Sequence, residues 1–145
     1  MAAINGRRPR RVNNDGKSIS EVGIAKVALL PGSFVVMDAA GEFIQATAVK
    51  KPMYIVNVDD KQGEDILTAV VATESATCDY VEQGRQFAAL VKGATDCIKD
   101  TPFKLSATLG ILEKATAPED VVVAYSQEIY TTPAGAAFHV RVRIA

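Results

Sequence analysis

Two apolar runs set close together constrain this chain more than any other feature. The first, Arg85-Gln-Phe-Ala-Ala-Leu-Val-Lys92, is apolar on both sides, with Phe87, Ala89 and Val91 opposed to Ala88 and Leu90. The second, Thr101-Pro-Phe-Lys-Leu-Ser-Ala-Thr-Leu-Gly110, alternates. Phe103, Leu105, Ala107 and Leu109 fall on one side, and Lys104, Ser106 and Thr108 on the other. A period of two predicts a strand with one wet face over 103–109. The unbroken run over 86–92 predicts a strand covered on both faces. A polar connection led by Gly93 separates them, and Gly84 and Gly110 mark sharp turns at the ends. Such pieces build the core of a small β-barrel or β-sandwich.

The flanking sequence extends the same theme. Pro31-Gly32 is a turn, Ser33-Phe-Val-Val-Met37 a strand, Asp38-Ala-Ala-Gly41 a tight turn and Glu42-Phe-Ile-Gln-Ala-Thr47 the returning strand. Met53-Tyr-Ile-Val-Asn-Val58 is a further strand, followed by the charged loop 59–65. In the stretch from Asp65 to Thr77, Ile66, Leu67, Val70 and Val71 are spaced as on one face of a helix, but the β-branched residues and the absence of a clear C-cap allow a strand or an irregular segment instead. Strands are predicted at 79–82, 86–92, 103–109 and 111–115, with a long one at 121–129. The final strand, 137–144, alternates cleanly. Phe138, Val140, Val142 and Ile144 point inward, and His139, Arg141 and Arg143 outward. Arg141 and Arg143 form a basic stripe that pairs across strands with Glu128 or meets a partner. The expected fold is all-β: a barrel or sandwich of short strands at roughly ten-residue spacing.

Residues 1–20 differ from the rest. Gly6, Pro9, Asn13, Asn14 and Gly16 discourage regular structure. Arg7, Arg8, Arg10, Arg11 and Lys17 stand against Asp15 alone, a net of +4 in a chain whose total is −1. The remainder therefore carries −5. The reading is an extended basic arm, 1–20, ahead of a single β domain, 21–145. The arm is either a mobile terminus or an anchor that orders on an acidic surface. No aromatic residue is interleaved with the arginines, so no platform for stacking on bases is offered and no nucleic acid is expected.

The inventory of reactive groups is thin. One histidine excludes a Ser-His-Asp triad and a multi-histidine metal site. Cys78 and Cys97 lack CxxC spacing, and free thiols are the plainer expectation. Asp59-Asp60 with Glu64-Asp65 lacks the EF-hand pattern and reads as a solvated loop or as a receiver for a neighbour's basic arm. Ser33 has no partner histidine in a nucleophile-elbow pattern, and the glycines are too dispersed for a phosphate loop. No apolar run approaches the ~20 residues of a membrane span, and no apolar stretch follows the basic N-terminus as in a secretory signal. The expectations are no enzyme, no cofactor, no metal and no membrane.

The order of several motifs resembles the decoration (cement) proteins of tailed-bacteriophage capsids. The pieces are Leu29-Leu30-Pro31-Gly32-Ser33-Phe-Val35, Tyr80-Val-Glu-Gln-Gly84, Pro102-Phe-Lys-Leu105 followed by Gly110-Ile-Leu112, Val122-Val-Ala-Tyr125 and Val140-Arg-Val-Arg-Ile144. Together they span residues 21–145. The resemblance implies a β-barrel or sandwich that forms a homotrimer on the outer surface of the major capsid protein shell. It implies a virion component made in the host cytoplasm, with an arm anchored through Arg7, Arg8, Arg10, Arg11 and Lys17. The competing expectation is a free-standing β-barrel binding module for carbohydrate or nucleic acid. Against it stand the absence of Trp and an aromatic content of 6%.

Overall fold

The computed structural model describes residues 12–15, 19–50, 52–58 and 66–145. Twelve strands follow in order: β1 (Ser20–Ile24), β2 (Phe34–Met37), β3 (Phe43–Gln45), β4 (Tyr54–Val56), β5 (Ser75–Tyr80), β6 (Gln86–Val91), β7 (Asp96–Cys97), β8 (Pro102–Leu105), β9 (Leu112–Lys114), β10 (Ala124–Ser126), β11 (Tyr130–Thr131) and β12 (Phe138–Ile144). No helix occurs among the described residues. The fold is all-β, as the alternation predicts, and one of its sheets is a closed barrel.

The strands form a five-stranded sheet ordered β1-β5-β4-β2-β3, a closed barrel ordered β10-β12-β6-β9-β8, and a small ribbon of β7 and β11. The five-stranded sheet curls on itself. Just past β1, Ala25 forms a parallel bridge to Phe43 of β3, and Lys26 N–H donates to the Phe43 carbonyl at 3.0 Å. A core of Ala25, Leu29, Val35, Phe43, Tyr54, Val56, Val70, Ala76 and Cys78 fills the roll. The Tyr54 ring sits edge-on between those of Phe43 and Tyr80, with centroids 5.5 and 5.8 Å away. A second core joins the barrel interior, including Phe87, Phe103, Leu112, Val140 and Val142, to Phe34 and Ile55 of the curled sheet.

Strand β6 is the axis of this arrangement. Its residues from Phe87 to Val91 are all buried, so the run is covered on both faces as its composition requires. One edge is paired along six residues by β12, from Phe138↔Val91 to Arg143↔Gln86. The other edge is shared by segments from three distant parts of the chain. Ala88 N–H donates to the Val12 carbonyl at 2.7 Å, and Leu90 N–H to the Gly32 carbonyl at 2.9 Å. Val91 pairs in parallel with Leu112 of β9.

Two glycines stitch the sheet to the barrel. Gly32, at φ +91°, sits so close to His139 and the Ala88 carbonyl that a Cβ would overlap both. Its N–H reaches the Val56 carbonyl of β4 while its carbonyl accepts from β6. Gly110, at φ +64°, lies against the Phe34 backbone, where a Cβ has no room, and its carbonyl accepts from Phe34 N–H at 2.8 Å. Both positions need the left-handed region and the missing side chain together.

Several expectations are corrected. The strand predicted over 103–109 ends at Leu105, because Leu109 and Gly110 both take positive φ and turn the chain into β9. Of the long strand predicted over 121–129 only β10 (Ala124–Ser126) forms, and β11 begins just past its end at Tyr130. Between them the Ser126 hydroxyl bonds its own turn, donating to the Glu128 carbonyl at 2.9 Å and accepting from Glu128 N–H at 3.2 Å. In the ambiguous region, Ile66–Thr68 forms a turn, Val70 bridges Leu29, and β5 starts at Ser75.

Candidate interaction surfaces

The residues expected to anchor a partner, Arg7, Arg8, Arg10, Arg11 and Lys17, lie outside the described residues, as does the acidic loop 59–65. Within the stretch read as an arm, residues 12–15 pack against the barrel. Val12 is fully buried in the barrel core. Asn13 bridges Phe87 in antiparallel fashion, and Asn14 N–H donates to the Gln86 carbonyl at 3.1 Å. Asp15 accepts from Gln86 N–H at 2.8 Å, and the Asn13 side chain accepts from Asp15 N–H at 3.1 Å.

A buried carboxylate secures this segment. Asp79, 1% exposed on β5, accepts from the Ser20 hydroxyl at 2.7 Å, the Asn57 amide at 3.0 Å and the Asn13 amide at 3.3 Å. Three neutral donors on separate segments compensate the loss of water around one buried charge. The sequence signalled neither the packed Val12 nor this hub.

His139 was expected outward on β12 and is instead buried. Its outer face of the barrel is the face the curled sheet covers. Nε2 lies 2.8 Å from the Pro31 carbonyl, an acceptor only, so Nε2 carries the proton. Arg141 and Arg143, two and four residues on, are exposed. Arg141 N–H donates to the Glu128 carboxylate at 2.9 Å, and Arg143 reaches the Gly84 carbonyl at 2.9 Å. Glu128 thus meets the Arg141 backbone, while the Arg141 guanidinium reaches the Gln127 carbonyl at 3.4 Å.

Both cysteines are free and buried. Burial pushes the Cys78 thiol well above its ordinary range, with the neighbouring Asp79 charge adding to it, which suits an inert core residue. Two partly buried aspartates hold turns. Asp120 accepts from Thr116 and Ala117 N–H at 2.9 Å each and from Lys104 at 3.2 Å. The Ala117 and Thr116 bonds, with smaller help from Lys104, lower its pKa. Asp38 does the same in the β2–β3 turn, lowered first by the Glu42 N–H. Among the described residues, no group of three or more His, Cys, Asp or Glu side chains lies close enough to hold a metal. An open cleft of about 410 Å³ is lined by Lys92, Lys104, Lys114, Asp96, Glu113 and small residues. Its lining has no aromatic ring on which a sugar or base would stack.

Apolar surface is concentrated in places the sequence did not mark. Ile129 and Ile98 are 83% and 65% exposed, the highest values among the large apolar residues described. Tyr130↔Cys97 in the ribbon and Tyr125↔Pro102 in the barrel share one register, which sets Ile98 opposite Ile129 at the interruption. The alternation could have hinted at this, since Ile129 follows the polar Ser126-Gln-Glu128. At the other end of the barrel, Val49 and Val121 are exposed. They line a cleft of about 110 Å³ with Met53, Val81, Val123 and Ile144, and Leu105 and Lys104 continue it outward.

The architecture defines a class: an all-β module in which a curled five-stranded sheet packs on a closed five-stranded barrel. No family model matches the sequence, and no curated protein matches it. Among solved structures the fold is similar to that of the head fiber gp8.5 N base of bacteriophage phi29. The TM-score is 0.58 at 10% identity, and the match covers 89% of this chain and 95% of that one.

Proposed function

We propose that this chain is a structural component of a bacteriophage head, a decoration protein that binds the outer surface of the major capsid shell as a homotrimer and stabilises it. The observation that carries the reading is the likeness to the phi29 head fiber base over nearly the whole of both chains. The order of turn and strand motifs across residues 21–145 supports it independently. A ligand that binds only the assembled lattice stabilises that lattice by mass action, and many copies on a symmetric shell add avidity to contacts that are individually modest. The arginines Arg7, Arg8, Arg10 and Arg11, with Lys17, supply the charge for docking on an acidic surface. They immediately precede or follow a segment fixed to β6, so a bound arm pulls directly on the barrel.

The test is co-sedimentation of the purified protein with native-like capsid shells, together with the melting temperature of the shells. Binding that raises the shell Tm is expected. Truncation through residue 17 would remove the buried Val12, so the arm is better tested by replacing Arg7, Arg8, Arg10 and Arg11 with Glu. That variant is expected to keep its own Tm and to lose at least tenfold in shell affinity. A protein that ignores shells at low salt overturns the reading.

A further inference from the structure

Four consecutive strands of the barrel, β8, β10, β12 and β6, contain no Asp or Glu. Residues opposite one another in a ladder share a face, so the register sets Pro102, Tyr125, Arg143 and Gln86 in one row on the outside of the barrel. Arg141 lies two residues along β12 from that row and therefore on the same side. The curled sheet covers the stretch of this wall at His139, and Arg141, Arg143 and Tyr125 stay exposed.

The two arginines differ from the other cations of the body. Lys26 is matched by Asp38, Arg85 by Glu82, Lys99 by Asp100 and Lys104 by Asp120. Among the described residues, neither Arg141 nor Arg143 makes such an ion pair. Each guanidinium is steered by a backbone carbonyl instead, Arg141 by Gln127 at 3.4 Å and Arg143 by Gly84 at 2.9 Å. A carbonyl orients a guanidinium without cancelling its charge, and most of its five N–H donors remain available. The acids that border the face already hold partners. Glu128 accepts from Arg141 N–H and Asp15 from Gln86 N–H, while Glu82 and Asp120 face Arg85 and Lys104. Two oriented, unmatched positive charges thus stand side by side in a body whose net charge is −5.

We propose that Arg141 and Arg143, with Tyr125 beside them, form a docking face for an acidic protein segment. Alternate residues on one strand stand about 7 Å apart, so the segment that fits offers two carboxylates at that spacing, as an extended chain with acids at alternate positions does. Each guanidinium fork grips a carboxylate with two parallel hydrogen bonds, and Arg and Tyr are the side chains that most often anchor an interface. The proposal deepens the reading above by naming the barrel face that meets the shell, and it rests on that reading for the identity of the partner alone. Nucleic acid is anionic too, but its affinity grows with the number of phosphates neutralised, and this face has two unmatched cations on an acidic body.

The first measurement is shell co-sedimentation of the full chain carrying Arg141→Glu with Arg143→Glu. Both side chains are exposed, so the variant is expected to keep its own Tm and to lose about tenfold or more in shell affinity. Arg141→Gln with Arg143→Gln serves as the second variant should charge reversal disturb the barrel. The independent probes are polyglutamate and oligo(dT), titrated at low salt against protein in which Arg7→Gln, Arg8→Gln, Arg10→Gln and Arg11→Gln silence the arm. Polyglutamate is expected to bind, to be released by salt, and to be lost when Arg141 and Arg143 are also replaced. Shell binding unchanged in a folded double variant overturns the face and leaves the decoration reading intact. A wild type that ignores shells but holds polyglutamate through these two arginines does the reverse. Polyglutamate that the arm-silenced protein ignores, or holds equally well without Arg141 and Arg143, overturns the proposal. So does oligo(dT) bound more tightly than polyglutamate through the same pair, which assigns the face to phosphate.

Discussion

β6 is paired along both edges, and the two edges are unlike. On one side β12 runs beside it for six consecutive pairs. On the other, Val12–Asn14 supplies one bridge and two flanking backbone hydrogen bonds before other segments take over. The strand β12 announces itself through seven alternating residues. The segment at Val12 has no periodicity, because three residues are too few to show one. Yet each edge buries a valine completely, Val142 on β12 and Val12 on the short segment. A barrel needs its strand edges satisfied, and it is indifferent to whether the partner is a long strand or a fragment held by a buried carboxylate.

The comparison can be broken in several ways. On β12 itself, His139→Ala should cost about 3 kcal/mol, from the lost ring packing and the orphaned Pro31 carbonyl. Arg141→Ala, on the same strand but exposed, should stay within about 0.5 kcal/mol. Equal effects in urea unfolding would mean that the sheet does not seal that face. Next, Val12→Ala and Val142→Ala should each cost about 2 kcal/mol, from lost methyl burial and an unfilled cavity. A Val12→Ala protein as stable as the wild type would demote the N-terminal segment to an ornament. The smallest effect concerns acid. The folded pKa of Asp120 is depressed below its ordinary 3.8, so its contribution is present above that pH and is lost as the pH falls through the lower folded value. Asp120→Asn should flatten the acid limb of the stability curve and leave the curve at neutral pH nearly parallel to the wild type. An unchanged acid limb would show that the turn does not depend on the ionised carboxylate.

The same contrast explains what the sequence made legible. Long regular elements were readable: the all-β class, the doubly covered run at 86–92, the β2–β3 hairpin with its Asp38 turn, and the inward set Val140, Val142 and Ile144. Errors arose where a third element intervened. His139 lies on the polar side of a clean alternation, but the curled sheet covers that side, and no local pattern records a sheet packed from outside. Ser106–Leu109 keeps the alternation of a strand while its backbone turns, since positive φ at Leu109 leaves no trace in hydropathy. The Asp79 hub draws its donors from Asn13, Ser20 and Asn57, polar residues that read separately as loop. The exposure of Ile129 is invisible for a related reason, because an isoleucine in the strand predicted over 121–129 reads as core, while Ile98 falls in the polar connection after Gly93.

The two edges of β6 also set a timetable. Synthesis delivers Val12 first and β12 last, and β6 between them, so the barrel stays an open trough until the final strand is translated. Nearly every pairing on β6 joins residues far apart in sequence, the condition under which chain closure is slow. During that wait the face bearing Phe87, Ala89 and Val91 is bare, and a nascent chain is at its most adhesive.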